Sequence, residues 1–282
     1  MENPILQLKN KISELTETQR KVADYIIKNP VDVAFLTVDQ LAGLVGTSTT
    51  TIMRLTFSLG YSGYSEFQKG LQELLRNKAD PNTRLAANIK DLNRSDLFIR
   101  CAENNVSNIQ SAVQMVSGET LQKTLEMIVT AKRIYCTGTR SGLPIAQSLT
   151  YGLNRLLGNC DLAHADLFEW AERVHTFDSS DLVIACSFPR YARKVSEFVE
   201  LAKRNNAQII SFTDSYSSPL AKYSDIILPC NVSSVAFHNS IIAPMFLADY
   251  IISALAINYP EKTKQHLDRL DSILKETNYH LT

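Results

Sequence analysis

Four short apolar runs in the second half of the chain, RIYCTG, DLVIAC, AQIISFTD and SDIILPC, restrict its fold more tightly than any other feature. Each is apolar almost throughout instead of alternating, the pattern of a strand buried on both faces. The stretches between them are long enough for helices, and a weaker fifth strand is read near Cys160 to Ala163. Strands that alternate with helices need crossover connections. The expected fold of this half is therefore a doubly wound α/β domain with a five-stranded parallel sheet.

The first part of the chain reads as short helices. Thr16 with Gln19 forms a capping box ahead of RKVADYIIKN, with Pro30 just past that helix, and Thr37 with Gln40 repeats the device ahead of VDQLAGLV. Ser48 can cap a third helix, TTTIMRLTFSL, which Gly60 would end, and Gly63 precedes an amphipathic helix, YSEFQKGLQELLR. Residues 78–94 are polar with no clean period and read as a linker. Helical spacing returns at Val106, Ile109, Val113 and Val116, then at Leu121, Leu125 and Ile128. The expected organisation is an all-α domain over residues 1–77, the linker over 78–94, and the α/β domain over 95–282.

Within the first domain, LAGLVGTSTTTIMRL has the spacing of a helix-turn-helix. Ala42 is small where two helices cross, Gly46 permits the tight turn, and Ile52 and Leu55 bury the second helix against the first. Such a second helix enters the major groove by its N-terminal half. Ser48, Thr49, Thr50, Met53 and Arg54 are therefore the candidate DNA contacts, since threonines meet phosphates or thymine methyls and an arginine addresses a guanine edge or a phosphate. An ordinary helical hairpin is the alternative. The 29 basic and 29 acidic residues cancel, so a nucleic-acid surface has to be a local patch. No acidic residue lies between Asp39 and Glu66, but Arg54 is the only basic one there.

Five cysteines, at 101, 136, 160, 186 and 230, are odd in number and scattered, which fits reduced, mostly buried thiols better than a zinc knuckle or redox dithiol. The first twenty residues carry charge and no continuous apolar core, unlike a signal peptide. The stretch from Ile241 to Ile257, interrupted by Pro244, Asp249 and Tyr250, reads as a core helix instead of a membrane span. A cytoplasmic protein with no cofactor or metal is expected.

In a doubly wound sheet, ligands sit outside the carboxyl ends of the strands. After the first run, CTGTRSGLPIA offers Gly138 for a tight turn, Ser141 for its hydroxyl, and a following helix whose free N–H groups suit an anion. A purely structural turn would look the same. After the second, SFPRYARKV places Ser187 at the strand end, and a helix opening at Pro189 would bring Arg190 and Arg193 near one face. A solvated surface role for Arg193 is the alternative. After the third, FTDSYSSPLAKYSD has small hydroxyls that suit caps and turns, with Pro219 at the start of a helix.

The chain as a whole resembles the RpiR-type transcriptional regulators, which join an N-terminal helix-turn-helix domain to a C-terminal sugar isomerase (SIS) domain. The resemblance rests on TETQRKVADYIIKNP, TVDQLAGLVGTSTTTIMRLTFSLGYSGYSEFQKGL and FTDSYSSPLAKYSDIIL, together with the strand order, and covers nearly all of the chain. It implies a dimer whose SIS domain binds a phosphorylated sugar or sugar acid and thereby controls DNA binding. Two departures matter. Phe57 and Ser58 stand where the family's recognition helix usually has basic residues. The family's loop after the second run resembles S-x-S-G-x-T-x-E. Here Ser187 keeps the first serine, while Pro189, Arg190, Ala192 and Lys194 replace the second serine, the glycine, the threonine and the glutamate. Arg140 likewise lies near the place of a second glycine in the first loop.

Sugar isomerisation needs a base, commonly a carboxylate, to move a proton between neighbouring carbons. A loop without that glutamate, but with arginines for charge-assisted phosphate contacts, is expected to bind and not to catalyse. The expected ligand residues are Arg140, Ser141, Ser187, Arg190 and Arg193, with His164, His238 and Ser240 as candidates for sugar hydroxyls. Each histidine has a structural or exposed role as its alternative, and the spacing of His164 and Asp166 does not make a metal site. The expected function is a regulator of sugar catabolism genes: a homodimer or higher homo-oligomer that binds operator DNA and no membrane. A phosphorylated sugar controls it, an amino-sugar 6-phosphate being one candidate. A sugar-phosphate isomerase or lyase with an appended helical domain is the alternative, and a dimerisation module that has lost its ligand is a third.

Overall fold

The computed structural model describes residues 4–78, 80–90, 94–164 and 170–279, and the chain divides into two compact units, Met1–Asp91 and Leu92–Thr282. The first unit is all helix: α1 (Pro4–Lys11), α2 (Glu17–Lys28), α3 (Pro30–Val33), α4 (Val38–Val45), α5 (Thr49–Ser58), α6 (Tyr64–Lys78) and α7 (Pro81–Lys90). Both expected capping boxes close. Gln19 N donates to Thr16 Oγ1 at 3.4 Å and Thr16 N to Gln19 Oε1 at 3.1 Å; the Thr37–Gln40 pair repeats this at 3.2 and 2.8 Å. Gly46 ends α4 in the left-handed conformation, φ +68°, which a side chain would strain. Leu41, Ala42, Ile52 and Leu55 are then buried together with Leu8, Val22, Ile26 and Phe67. Within 78–94, the stretch that reads as a linker, α7 groups with this unit and buries Arg84 and Asn88.

The second unit runs α8 (Leu97–Met115), α9 (Gly118–Thr130), β1 (Arg133–Gly138), α10 (Leu143–Leu156), β2 (Cys160–Ala163), α11 (Trp170–Val174), β3 (Asp181–Cys186), α12 (Arg193–Arg204), β4 (Gln208–Thr213), β5 (Ile226–Pro229), α13 (Ile242–Asn258) and α14 (Pro260–Glu276). All five strands are parallel in the order β2-β1-β3-β4-β5, and Cys186 of β3 lies opposite both Gly138 of β1 and Phe212 of β4. Strand pleating divides the side chains between two cores. Ile134, Cys136, Leu182, Ile184, Ile210 and Phe212 face α9, α10 and α13, whereas Tyr135, Val183, Ala185 and Ile209 face α12. The strand order reverses direction between β1 and β3, and a doubly wound sheet opens its ligand crevice at that switch point. Among the described residues, no single helix is long and apolar enough to cross a membrane.

Two local expectations are corrected. The helix after β3 begins at Arg193, not Pro189, because Arg190 has φ +66° and lies outside any right-handed helix. Arg190 and Arg193 therefore do not share a helical face. Pro219 opens no helix either; only a 3-10 turn, Ala221–Tyr223, follows it. The spacing at Val106, Ile109, Val113 and Val116 does mark a helix and its end; Val106 and Val113 lie on the exposed side at 52% and 60%, whereas Ile109 and Val116 pack on the core. The inward side of α8 also carries Asn104 and Asn108, which both donate to Ser233 O at 2.8 Å.

At the amino end of the sheet, Asp181 is fully buried and accepts from Arg133 Nε at 2.7 Å and Nη2 at 2.6 Å, and from Asp178 N at 2.9 Å. Arg133 is partly exposed and can return to water, whereas Asp181 cannot. Arg133→Ala is therefore expected to destabilise by about 3 kcal/mol or more, because it leaves a buried carboxylate without its cation. Asp181→Asn should cost less, about 1–2 kcal/mol, since the amide oxygen still accepts a hydrogen bond. Urea unfolding of the two variants checks the order; equal losses would contradict it.

Candidate ligand crevice and DNA-binding helix

The crevice is built by backbone before any side chain enters it. A Cβ added to Gly142 would lie 2.1 Å from the Cys186 carbonyl oxygen, and one on Gly138 only 3.0 Å from it. The turn after β1 is thus pressed against the end of β3, which only glycine allows. Ser141 and Ser187, each next to one partner in that contact, flank it from the two loops. Ser141 is half-buried and Ser187 is 4% exposed; the Ser187 N–H is bonded to Phe212 O at 3.0 Å.

Two arginines share an uncommon backbone conformation here. Arg140 has φ +52° and Arg190 φ +66°, both left-handed and both exposed. Position 190 is where the resembled loop has glycine, so the chain turns as glycine would while carrying a guanidinium. Behind them, α10 and α12 start without a side-chain cap, as α8, α13 and α14 also do. The first turn of α10 is closed to a ligand, since the Leu143 N–H bonds Arg140 O and Pro144 has no N–H, so the start of α12 and the two guanidinium groups make the setting for an anion. The remaining expected residues lie differently. Arg193 is solvated at 90% side-chain exposure and donates to Glu197 Oε1 at 2.7 Å. Ser240 is buried and its hydroxyl donates to Asn105 Oδ1 at 2.7 Å, so it braces α8. His238 is exposed, with its ring edge-on to Phe237, and His164 is exposed at the end of β2; Asp166 lies outside the described residues.

Sequence reasoning missed a pair at the same rim. The Tyr191 hydroxyl donates to Asp214 Oδ1 at 2.6 Å, from the loop after β3 to the residue just beyond β4. Burial pushes the Asp214 carboxyl above its ordinary range, with the Tyr191 bond working the other way. Their separation of twenty-three positions hides the pairing from any local pattern. Asn239, from the loop after β5, donates to Pro189 O at 3.2 Å and reaches the same loop. The cysteines offer no chemistry here: Cys136, Cys186 and Cys230 are buried, and burial raises their thiols above the usual range. A hollow of about 290 Å³ lined by Lys123, Met127 and Asp225 opens at the amino end of β5, away from the crevice, and its Asp225 is already paired with Lys203.

In the first unit, Ser48 caps α5 by accepting from Thr51 N at 3.2 Å. Thr50, Arg54 and Phe57 are exposed at helical spacing and form one outward face, while Thr49 is half-buried. Met53 does not belong to that face: it packs against the helical core, its Cε 3.3 Å from a Cβ placed on Gly63. Phe57 joins the face as an apolar group able to meet a thymine methyl.

Comparison with known proteins agrees with both halves. Residues 3–78 match the helix-turn-helix domain of the rpiR family, and residues 127–254 match the SIS domain. The HTH-type transcriptional regulator HexR of Pseudomonas aeruginosa is 24% identical over 285 residues, covering 100% of this chain and 99% of that protein. The sugar isomerase domain of an RpiR transcription factor from Sphaerobacter thermophilus superposes with a TM-score of 0.61 at 21% identity, over 63% of this chain and 99% of that one. The NanR protein of Vibrio vulnificus, solved in complex with ManNAc-6P, gives a TM-score of 0.57 at 23% identity, over 98% and 99% of the two chains.

Strain at position 190 yields a prediction. Arg190→Gly relieves a left-handed side chain and should raise stability by about 0.5–1 kcal/mol, net of the extra freedom glycine has when unfolded. Arg190→Ala keeps the strain and should not. Thermal melts of both variants decide this, and a destabilised Arg190→Gly would show that the arginine's contacts outweigh its strain.

Proposed function

We propose that this chain, which belongs to the RpiR-type transcriptional regulators, senses a phosphorylated sugar in its SIS domain and so controls DNA binding by its helix-turn-helix. The crevice between β1 and β3 carries this reading: Ser187 and Ser141 flank a glycine-only backbone contact, with Arg140 and Arg190 at its mouth. A phosphate there meets charge-assisted donors from Arg190, hydroxyls from Ser187 and Ser141, and the N-terminus of α12. Arg193, already paired with Glu197, is a weaker candidate, and His164 and His238 are rim groups for sugar hydroxyls. An amino-sugar 6-phosphate, the class bound by the NanR protein of Vibrio vulnificus, is one effector that suits the site.

The reading is of a sensor and not an enzyme, working in the cytoplasm where its DNA lies. Moving a proton between sugar carbons needs a free base over them. Lys194 stands where the resembled loop has glutamate, and the Asp214 carboxylate accepts from Tyr191.

Dimerisation is supported by α8. Ile99, Val106 and Val113 are exposed and spaced by seven residues, and Arg100 and Glu103 are the helix's only charges. Laid antiparallel against a second copy centred on Val106, Ile99 of one chain meets Val113 of the other. A dimer of this kind holds two helix-turn-helix units, one for each half-site. The face turned inward carries Ile109 and Ala112 against the core, together with Asn104, Asn105 and Asn108, which bond Ser233 and Ser240 in the loop that also carries Asn239 to Pro189. The adjacent residues Asn239 and Ser240 thus tie the effector loop and α8 to one segment.

Two substitutions test the DNA side. Arg54→Ala should weaken operator binding by about 1–3 kcal/mol if the guanidinium makes a bidentate base contact, with the dimer intact. Unchanged affinity across a salt titration would remove Arg54 from the interface. Val106→Glu should give a folded monomer in sedimentation and lose half-site cooperativity; a stable dimer would exclude α8 as the interface.

A further inference from the structure

The loop between β3 and α12 is fastened to the end of β4 and to the loop after β5, and these fasteners bracket Arg190 in sequence. On one side, Asn239 Nδ2 donates to Pro189 O at 3.2 Å. On the other, Tyr191 Oη donates to Asp214 Oδ1 at 2.6 Å, and Thr213 Oγ1 reaches the same oxygen at 3.3 Å. Between them Arg190 is exposed with φ +66°. A left-handed non-glycine residue costs about 1–3 kcal/mol and persists only when its surroundings over-determine it. The short helix N-terminus does not supply that, since Ala192 makes no side-chain cap. The two hydrogen bonds do.

We propose that Tyr191 is a positioning residue: its hydroxyl, bound to Asp214, holds the loop so that Arg190 points at the phosphate site before any ligand arrives. This rests on the effector reading given above. Asp214 gains a second meaning in it, as the fixed post against which Tyr191 is tied and not as a base. The carboxylate also lends the rim a negative charge opposite the arginines. The geometry therefore favours a ligand whose phosphate lies on the arginine side of the crevice, with neutral hydroxyls or amide toward Asp214. Preorganisation of this kind raises affinity by removing the ordering that binding would otherwise require.

Tyr191→Phe deletes the hydroxyl and keeps the ring, so the full-length protein should fold as before. Two readouts follow. The Arg190–Tyr191 peptide bond, protected in the wild type, should become the site of fastest trypsin cleavage in the variant, with other sites unchanged. Affinity for inorganic phosphate and for a hexose 6-phosphate from a binding screen should fall about tenfold, the loss of one charge-assisted hydrogen bond's worth of order, while unphosphorylated hexoses are unaffected. Asp214→Asn, which retains an acceptor for the tyrosine, should keep most of the protection, and Asp214→Ala should not. A general loss of stability would instead speed cleavage everywhere. If the wild type takes up no phosphate at all, the effector reading falls and this inference with it. If the wild type binds phosphate and Tyr191→Phe binds it equally well with equal protection, this inference alone is overturned.

Discussion

The backbone contact between Gly142 and the Cys186 carbonyl sets everything at the ligand end of the second unit. With no Cβ between them, the turn after β1 closes directly onto the end of β3, at the point where the strand order reverses. Two loops that would otherwise stand apart are brought to one place, each leading into a helix without a side-chain cap. The same crowding leaves the arginines little choice of path. Arg140 and Arg190 turn left-handed on either side of it, and their guanidinium groups are exposed at its mouth. A larger residue at 142 would push the loops apart and dissolve the crevice with them.

Much of this was legible in the sequence because it is local. Continuous apolar runs identify β1, β3, β4 and β5, and Thr16, Thr37 and Ser48 announce the helices they cap. The signals that failed are those decided by distant partners. Val106 and Val113 have helical spacing, yet spacing cannot say which face is covered by the same chain. Here the asparagines turn inward because Ser233 and Ser240 satisfy them. Met53 looked outward on a helical wheel until the turn at Gly63 met it. Pro189 resembles a helix start, but the fastening of Tyr191 to Asp214 delays α12 to Arg193.

The polar links also decide how rigid each part is. Asp181, buried under Arg133, locks the amino end of β3 to β1, far from the crevice. At the carboxyl end the links run between loops: Asn239 to Pro189, Tyr191 to Asp214, and Ser240 to Asn105 of α8. Single hydrogen bonds between loops are each worth little more than about 1 kcal/mol, so this end can rearrange where the strand core cannot. A sensor needs that division, since a ligand shifts an equilibrium only through states it binds unequally.

The central claim is that occupancy of the crevice changes the hold of the helix-turn-helix on DNA. Operator affinity measured by fluorescence anisotropy, with and without a sugar phosphate that raises the protein's melting temperature, tests it most directly. The account predicts a shift in DNA dissociation constant of roughly 5–150-fold, as expected for a coupling of about 1–3 kcal/mol, matched by an equal shift in effector affinity when DNA is bound. The parent sugar without phosphate should produce none. A sugar phosphate that saturates the crevice and leaves DNA affinity unchanged would contradict the account.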